Sequence, residues 1–369
     1  MDVPGPVYSI VRGLLCFCAL YRLSLFRDQI GIVTGIVLSA FMGLGVFYLV
    51  CRGDTMVLDA ALVTAGAYKV SFKRICLLYV FIGTFISILA LVCSQTGIIP
   101  DYTFLTNYGE NEKVRHSLGI IYPTDCFAHV FYLAAAYFLL RWKRVTYPEI
   151  AGAAVIFGIV FCLTSARADL GGAVIMLVLM LIAKATGYKD SLPEIIKKVF
   201  SCVLMPVCAV IIAVLTFFYS ESRPFMLKLD AMMSYRLSLG KTGMGLYGVK
   251  LLGNANFAEN GNANGGVRNY TYIFYDSAYI KYLFKYGLIM LAVLFVVYAL
   301  IGLRLISSKM FYGMIFVGVI AASFIIEHHM LELSYNITLL LLTADISTIS
   351  RQDPSININN KNDIMAKAI

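Results

Sequence analysis

Five short polar clusters interrupt an otherwise apolar chain of 369 residues, and they hold most of its groups able to do chemistry. They are Arg115-His116-Ser117, the stretch Thr164-Ser165-Ala166-Arg167-Ala168-Asp169, and Arg236 with glycines at 240, 243, 245, 248 and 253. The fourth is Tyr275-Asp276-Ser277-Ala278-Tyr279, and the fifth is Glu327-His328-His329-Met330-Leu331-Glu332. Arg115, Arg167 and Arg236 come from separate segments and suit a shared anion site, because a planar guanidinium donates two parallel hydrogen bonds to a phosphate. Each has a plainer reading. Arg167, at the end of an apolar run, costs free energy unless paired or facing a polar cavity, and Asp169 is a nearby ion-pair partner. Arg115 and Arg236 could instead snorkel to headgroups. Asp276 lies where a polar loop returns to an apolar segment; a carboxylate there can take a proton from a hydroxyl, or it can simply cap a turn. Glu327 and His328 are further candidate bases, or a polar cap between two helices.

No metal ligand set is expected. Adjacent histidines rarely ligate one ion together, and HExxH spacing is lacking. The nine cysteines, Cys16, Cys18, Cys51, Cys76, Cys93, Cys126, Cys162, Cys202 and Cys208, all lie in or beside apolar segments. They read as small hydrophobes rather than as a disulfide framework or a zinc site. The N-terminus lacks a small-residue cleavage site, so no removable signal peptide is expected.

The chain that must position these clusters is 60% hydrophobic and only 14% charged, with a mean hydropathy of +0.81. So few charges cannot cover a soluble surface. Apolar segments recur at 8–25, 30–50, 55–68, 74–93, 121–140, 149–164, 169–184, 199–218, 287–303, 310–326 and 333–349. The segment 55–68 is short and contains Asp59, so the expectation is an all-α, polytopic transmembrane bundle of ten or eleven helices. Its parts are 1–219, a large polar loop over 220–286 containing short helices, 287–349, and a disordered tail over 350–369. The net charge of +9 comes from Lys and Arg placed between apolar runs. That is the pattern of the positive-inside rule, and it argues against a nucleic-acid partner.

Lys69, Lys73 and Arg74, then Arg141, Lys143 and Arg144, then Lys184, Lys189, Lys197 and Lys198, then Arg304 and Lys309 mark four cytoplasmic turns. Alternation places 94–120, 164–169, 219–286 and 327–332 on the opposite face. Whether 55–68 spans decides the side of the N-terminus. The large loop carries eight basic residues against four acidic ones, a net +4 on the face where basic residues are depleted. An anionic ligand at the outer leaflet explains the excess; long loops that escape the rule are the plainer alternative. Within the loop, GNANFAENGNANGG reads as turns, and NYTYIFYDSAYIKYLFKYG is aromatic, as interfacial belts are.

The ordered set RHSLG-x-x-YPT, TSAR, SYRLSLG…YGVKLLG, YDSAYIKYLFKYG and EHHMLELSYN resembles the Wzy-type polysaccharide repeat-unit polymerases that make exopolysaccharide, capsule or O-antigen. The resemblance runs from about residue 30 onward. It implies a metal-independent, cofactor-free glycosyltransferase in the bacterial plasma membrane, with its large loop outside. The donor and acceptor it implies are undecaprenyl-diphosphate-linked oligosaccharides, and the implied partners are a chain-length regulator and a flippase of the same pathway. Related O-antigen ligases carry a His-Asn pair where this chain has Asp276-Ser277. On this reading Arg236, Arg167 and Arg115 hold the diphosphate, and Asp276, His328 or Glu327 activates the acceptor. His116, Tyr275 and Tyr279 contact the sugars. A lipid-linked oligosaccharide transporter is the main rival, but the two related halves common in transporters are not evident.

Overall fold

Long apolar runs without water can satisfy their backbone only as helices, and this chain does so repeatedly. The computed structural model describes residues 5–108, 111–190, 192–259 and 273–350. The expected disordered tail therefore lies almost wholly outside the described residues, as do Arg268 and much of the Asn/Gly-rich run. Among the described residues, eight helices are long and apolar enough to cross a membrane. They are α1 (Gly5–Leu25), α2 (Ile32–Arg52), α4 (Phe72–Gln95), α5 (Pro123–Arg141), α6 (Tyr147–Thr164), α7 (Arg167–Ala185), α8 (Glu194–Phe217) and α12 (Gly287–Ser307). Their 18–24 residues span about 27–36 Å at 1.5 Å per residue, matching a hydrocarbon layer of about 30 Å. Leu14, Phe17, Leu20, Phe81 and Phe85 on α1 and α4 are exposed, as lipid-facing side chains would be.

Three further segments run through the bundle in other forms. The first, α3 (Met56–Gly66), is only 11 residues long. Just before it, Asp54 meets Lys285 at 2.6 Å; just after it, Lys69 N–H donates to the Thr343 carbonyl at 3.0 Å. Arg304, at the far end of α12, donates to the Leu341 and Ala344 carbonyls at 2.7 and 2.6 Å. The segment 54–69 thus runs beside α12 from the large-loop end of the bundle to the other. This places the start of α1 at the loop end too, because Arg22 at its finish donates to the Tyr68 carbonyl at 2.9 Å. Asp59 is held by Arg12 of α1, with two contacts of 2.6 and 3.0 Å; a paired charge is what an apolar surround demands. The second segment is α13 (Phe311–Ser323).

The third departs from the helix expected over 333–349. Residues Ile337–Leu342 form a tight 3-10 turn, flanked by non-helical backbone. The cause is local. The Asn336 side-chain oxygen accepts from Thr338 N–H at 3.1 Å, and its amide donates to the Met330 carbonyl at 2.8 Å. An Asn side chain that binds nearby backbone competes with the helix. The segment is buried throughout, which is the one setting where irregular backbone is tolerated at membrane depth.

The large loop contains the short helices α9 (Pro224–Met232), α10 (Arg236–Tyr247) and α11 (Ala278–Lys285). Contrary to its polar context, α11 is sunk into the bundle, with every residue from Ala278 to Phe284 buried. The loop is tied to the start of α12 by an unusual approach. Gly253 and Gly287 both have positive φ, +77° and +84°, and a Cβ on Gly287 would lie 2.3 Å from the Gly253 nitrogen. Leu288 and Ile289 N–H then donate to the Lys250 and Leu251 carbonyls at 3.1 and 3.0 Å, so loop backbone caps α12. One hairpin, β1 (Thr103–Tyr108) with β2 (Asn111–His116), joins α4 to α5, with Thr103 opposite His116.

Candidate functional site

Arg236 is positioned by a helix start. Ser234 and Tyr235 are left-handed, with φ of 55° and 66°, and turn the chain sharply out of α9. The Asp230 carboxylate then accepts from Leu237 and Ser238 N–H at 2.9 and 3.1 Å, capping α10. That leaves a guanidinium at the positive end of a helix dipole, only 5% exposed, which needs negative partners. It finds them across the loop. Its Nε donates to the Ile326 carbonyl at 2.8 Å and its Nη1 to Met233 at 2.9 Å. Its Nη2 lies 3.3 Å from Asp276 and 3.9 Å from Glu327.

Asp276 and Glu327 are brought together by backbone. Ala278 N–H donates to the Phe324 and Glu327 carbonyls, each at 3.0 Å, so the start of α11 is seated on the end of α13. Glu327 in turn faces Asp169 of α7. Neither Asp169 oxygen has a donor, and two facing carboxylates can hydrogen-bond only if one keeps a proton. Burial, and then the Asp169 charge, push Glu327 well above the usual carboxylate range.

His328 is buried against Phe274, edge-on at 5.0 Å between ring centroids. Burial, together with the neighbouring His329, Lys281 and Arg236, holds its pKa well below the usual imidazole range; the ring is neutral. His329 stacks on Tyr335 at 3.6 Å, and its Nδ1 lies 2.9 Å from Glu332. Its Nε2 faces Glu327 at 3.5 Å and Asp125 of α5 at 3.8 Å.

Thus Arg236, Asp276, Glu327 and His328, singled out by sequence from three distant segments, form one cluster at the loop end of the bundle. Arg115 and Arg167 stand at its margin. Arg115 Nε donates to the Thr164 carbonyl at 2.7 Å, pinning the hairpin to the end of α6. Arg167 opens α7 on an exposed face, whereas Asp169 is buried and turned inward to Glu327. The ion pair imagined between these two is replaced by a carboxyl pair. His116 is committed to Asp101 at 2.6 Å, and Asp101 also accepts from Leu118 N–H at 2.8 Å. Tyr279 donates to the Ala321 carbonyl at 2.7 Å and is 1% exposed. Tyr275 is buried among Tyr247, Phe257 and Phe284. Both tyrosines are buried and build the wall behind the site rather than its surface.

Sequence reasoning passed over Asp125. It follows Pro123 at a helix start, where an acidic residue is ordinary, and that masks any other role. No protein-family model, curated protein or solved structure matches this chain.

Proposed function

We propose that this protein polymerises polyprenyl-diphosphate-linked oligosaccharide repeat units into surface polysaccharide, at the outer face of a bacterial plasma membrane. What supports the reading most is that Arg236, from the basic loop, meets Asp276 and Glu327 at one end of an apolar bundle. A membrane-embedded lipid carrier and a polar diphosphate need just such a junction. In the reaction, an acceptor sugar hydroxyl attacks the donor's anomeric carbon. The new glycosidic C–O bond forms as the bond to the diphosphate breaks, and the diphosphate leaves with the electron pair. Its growing charge is met by Arg236, with Arg167 and Arg115 reaching from the margin. The hydroxyl proton passes to Asp276, whose side chain is 26% exposed, against 6% for Glu327 and 11% for His328. Glu327 faces Asp169 instead. No metal step is required of these residues. An O-antigen-ligase-like transfer uses the same arrangement with a different acceptor.

The deciding experiment deletes the gene and separates the surface and lipid-linked glycans. Loss of the polymer ladder with single repeat units still displayed supports polymerisation. Units trapped on the inner face would instead indicate a flippase, and unchanged glycan length would defeat both.

A further inference from the structure

Five carboxyl groups gather at the loop end of the bundle: Asp125, Asp169, Asp276, Glu327 and Glu332. Arg236 is the guanidinium within 4 Å of two of them. The nearby Lys281 is already held by Glu259 at 2.7 Å. Oxygens gathered this closely can ligate a metal cation. One nitrogen in the cluster is aimed to bind it. His329 is 1% exposed and its Nε2 has no hydrogen-bond partner, yet it points at the oxygens of Glu327 and Asp125 at 3.5 and 3.8 Å. Its other nitrogen lies 2.9 Å from Glu332. With Nδ1–H donated there, Nε2 presents its lone pair to the cluster. A carboxylate that fixes the imidazole tautomer in this way is the usual support for a metal-bound histidine.

We propose that Asp125, His328 and His329 bind a divalent transition-metal cation such as Zn2+, clamping the start of α5 to the 327–332 turn. One ligand atom from each of the three lies within 4.8 Å of the others. Zinc–ligand bonds of about 2.0–2.1 Å bring ligands to roughly 3.4 Å apart, so the site closes by side-chain movement of about an ångström. Two histidines and a carboxylate leave a fourth position open. The tie joins elements more than 190 residues apart in sequence, Asp125 and His328. It stands apart from the polymerase reading, for metal content is measured without reference to any glycan.

The test uses the full chain, purified in detergent, stripped by chelator and dialysed against Zn2+ alone. One zinc per chain is expected by elemental mass spectrometry. His329→Ala and Asp125→Asn should each weaken binding at least about tenfold, while Asp190→Asn at the opposite end leaves it unchanged. A buried histidine's removal can unfold its surroundings, so His329→Cys is the companion variant. It should keep the metal, and its Co2+ form should gain a thiolate-to-cobalt charge-transfer absorption that the parent lacks. Folded parent protein that takes up no stoichiometric zinc overturns the proposal. So does uptake that persists in both His329→Ala and Asp125→Asn, or a folded His329→Cys protein without the new absorption.

Discussion

Arg236 Nη2 stands 3.3 Å from Asp276 Oδ2, joining the start of α10 to the start of α11 across the large loop. The guanidinium also holds the carbonyls of Met233 and Ile326, so a lysine cannot reproduce its contacts. Arg236→Lys is expected to slow polymer formation by roughly 100-fold, as loss of an oriented charge-stabilising donor does. Asp276→Asn should abolish the ladder with normal amounts of protein in the membrane. Glycan gels beside immunoblots check both; a normal ladder from either variant removes that residue from the mechanism.

Glu327 gives a prediction with a definite sign. Its pKa in the folded protein is raised, by burial and then by Asp169, above its value in the unfolded chain. Its contribution is therefore fully present below the ordinary carboxylate pKa and is lost as pH rises through the elevated one. Thermal unfolding of the detergent-solubilised protein should show stability falling as pH rises above the ordinary carboxylate range. Glu327→Gln, which mimics the neutral acid, should flatten that slope and keep polymer formation within a few-fold of the parent. A steeper slope in the glutamine variant would contradict the assignment.

The Gly253–Gly287 approach leaves no room for a methyl group, and both residues occupy a backbone region that suits glycine. Gly287→Ala combines strain with a backbone clash and is expected to cost at least about 2 kcal/mol. Limited proteolysis should find the 220–259 stretch cut faster, because the caps from Lys250 and Leu251 onto α12 are lost. Unchanged protection would mean the backbone yields there.

Sidedness can be read by labelling. In a background whose exposed native cysteines are replaced by serine, Ser222→Cys in the loop should react with an impermeant maleimide in intact cells. Ser307→Cys, at the far end of α12, should react only after permeabilisation. The reverse pattern would invert the orientation expected from the basic turns.

Much of this architecture was legible because hydropathy reports what lipid demands of a backbone. The eight long helices coincide with apolar runs, and Asp59 in the short run 55–68 proves to be matched by Arg12. The 3-10 turn was hidden because SYNITLLLL has a helix's hydropathy, while Asn336 chooses the backbone. Arg236, Asp276 and Glu327 were recognisable as charged groups of the large loop and the last external turn, close to apolar segments. Asp169 was visible only as a neighbour of Arg167, since the direction a side chain takes around a helix start is settled by tertiary packing. Asp125 looked like an ordinary first-turn acid, and only the fold puts His329 in front of it.

The non-helical pass through 337–345 also constrains the order in which the protein is made. Its carbonyls at 341 and 344 depend on Arg304, its Thr343 carbonyl on Lys69 N–H, and its Asp345 N–H on the Val70 carbonyl. A stretch so dependent on others cannot enter lipid by itself, as a helix can. Its slot is walled by α3, α4 and α12, so its backbone groups find their partners only where those helices are in place.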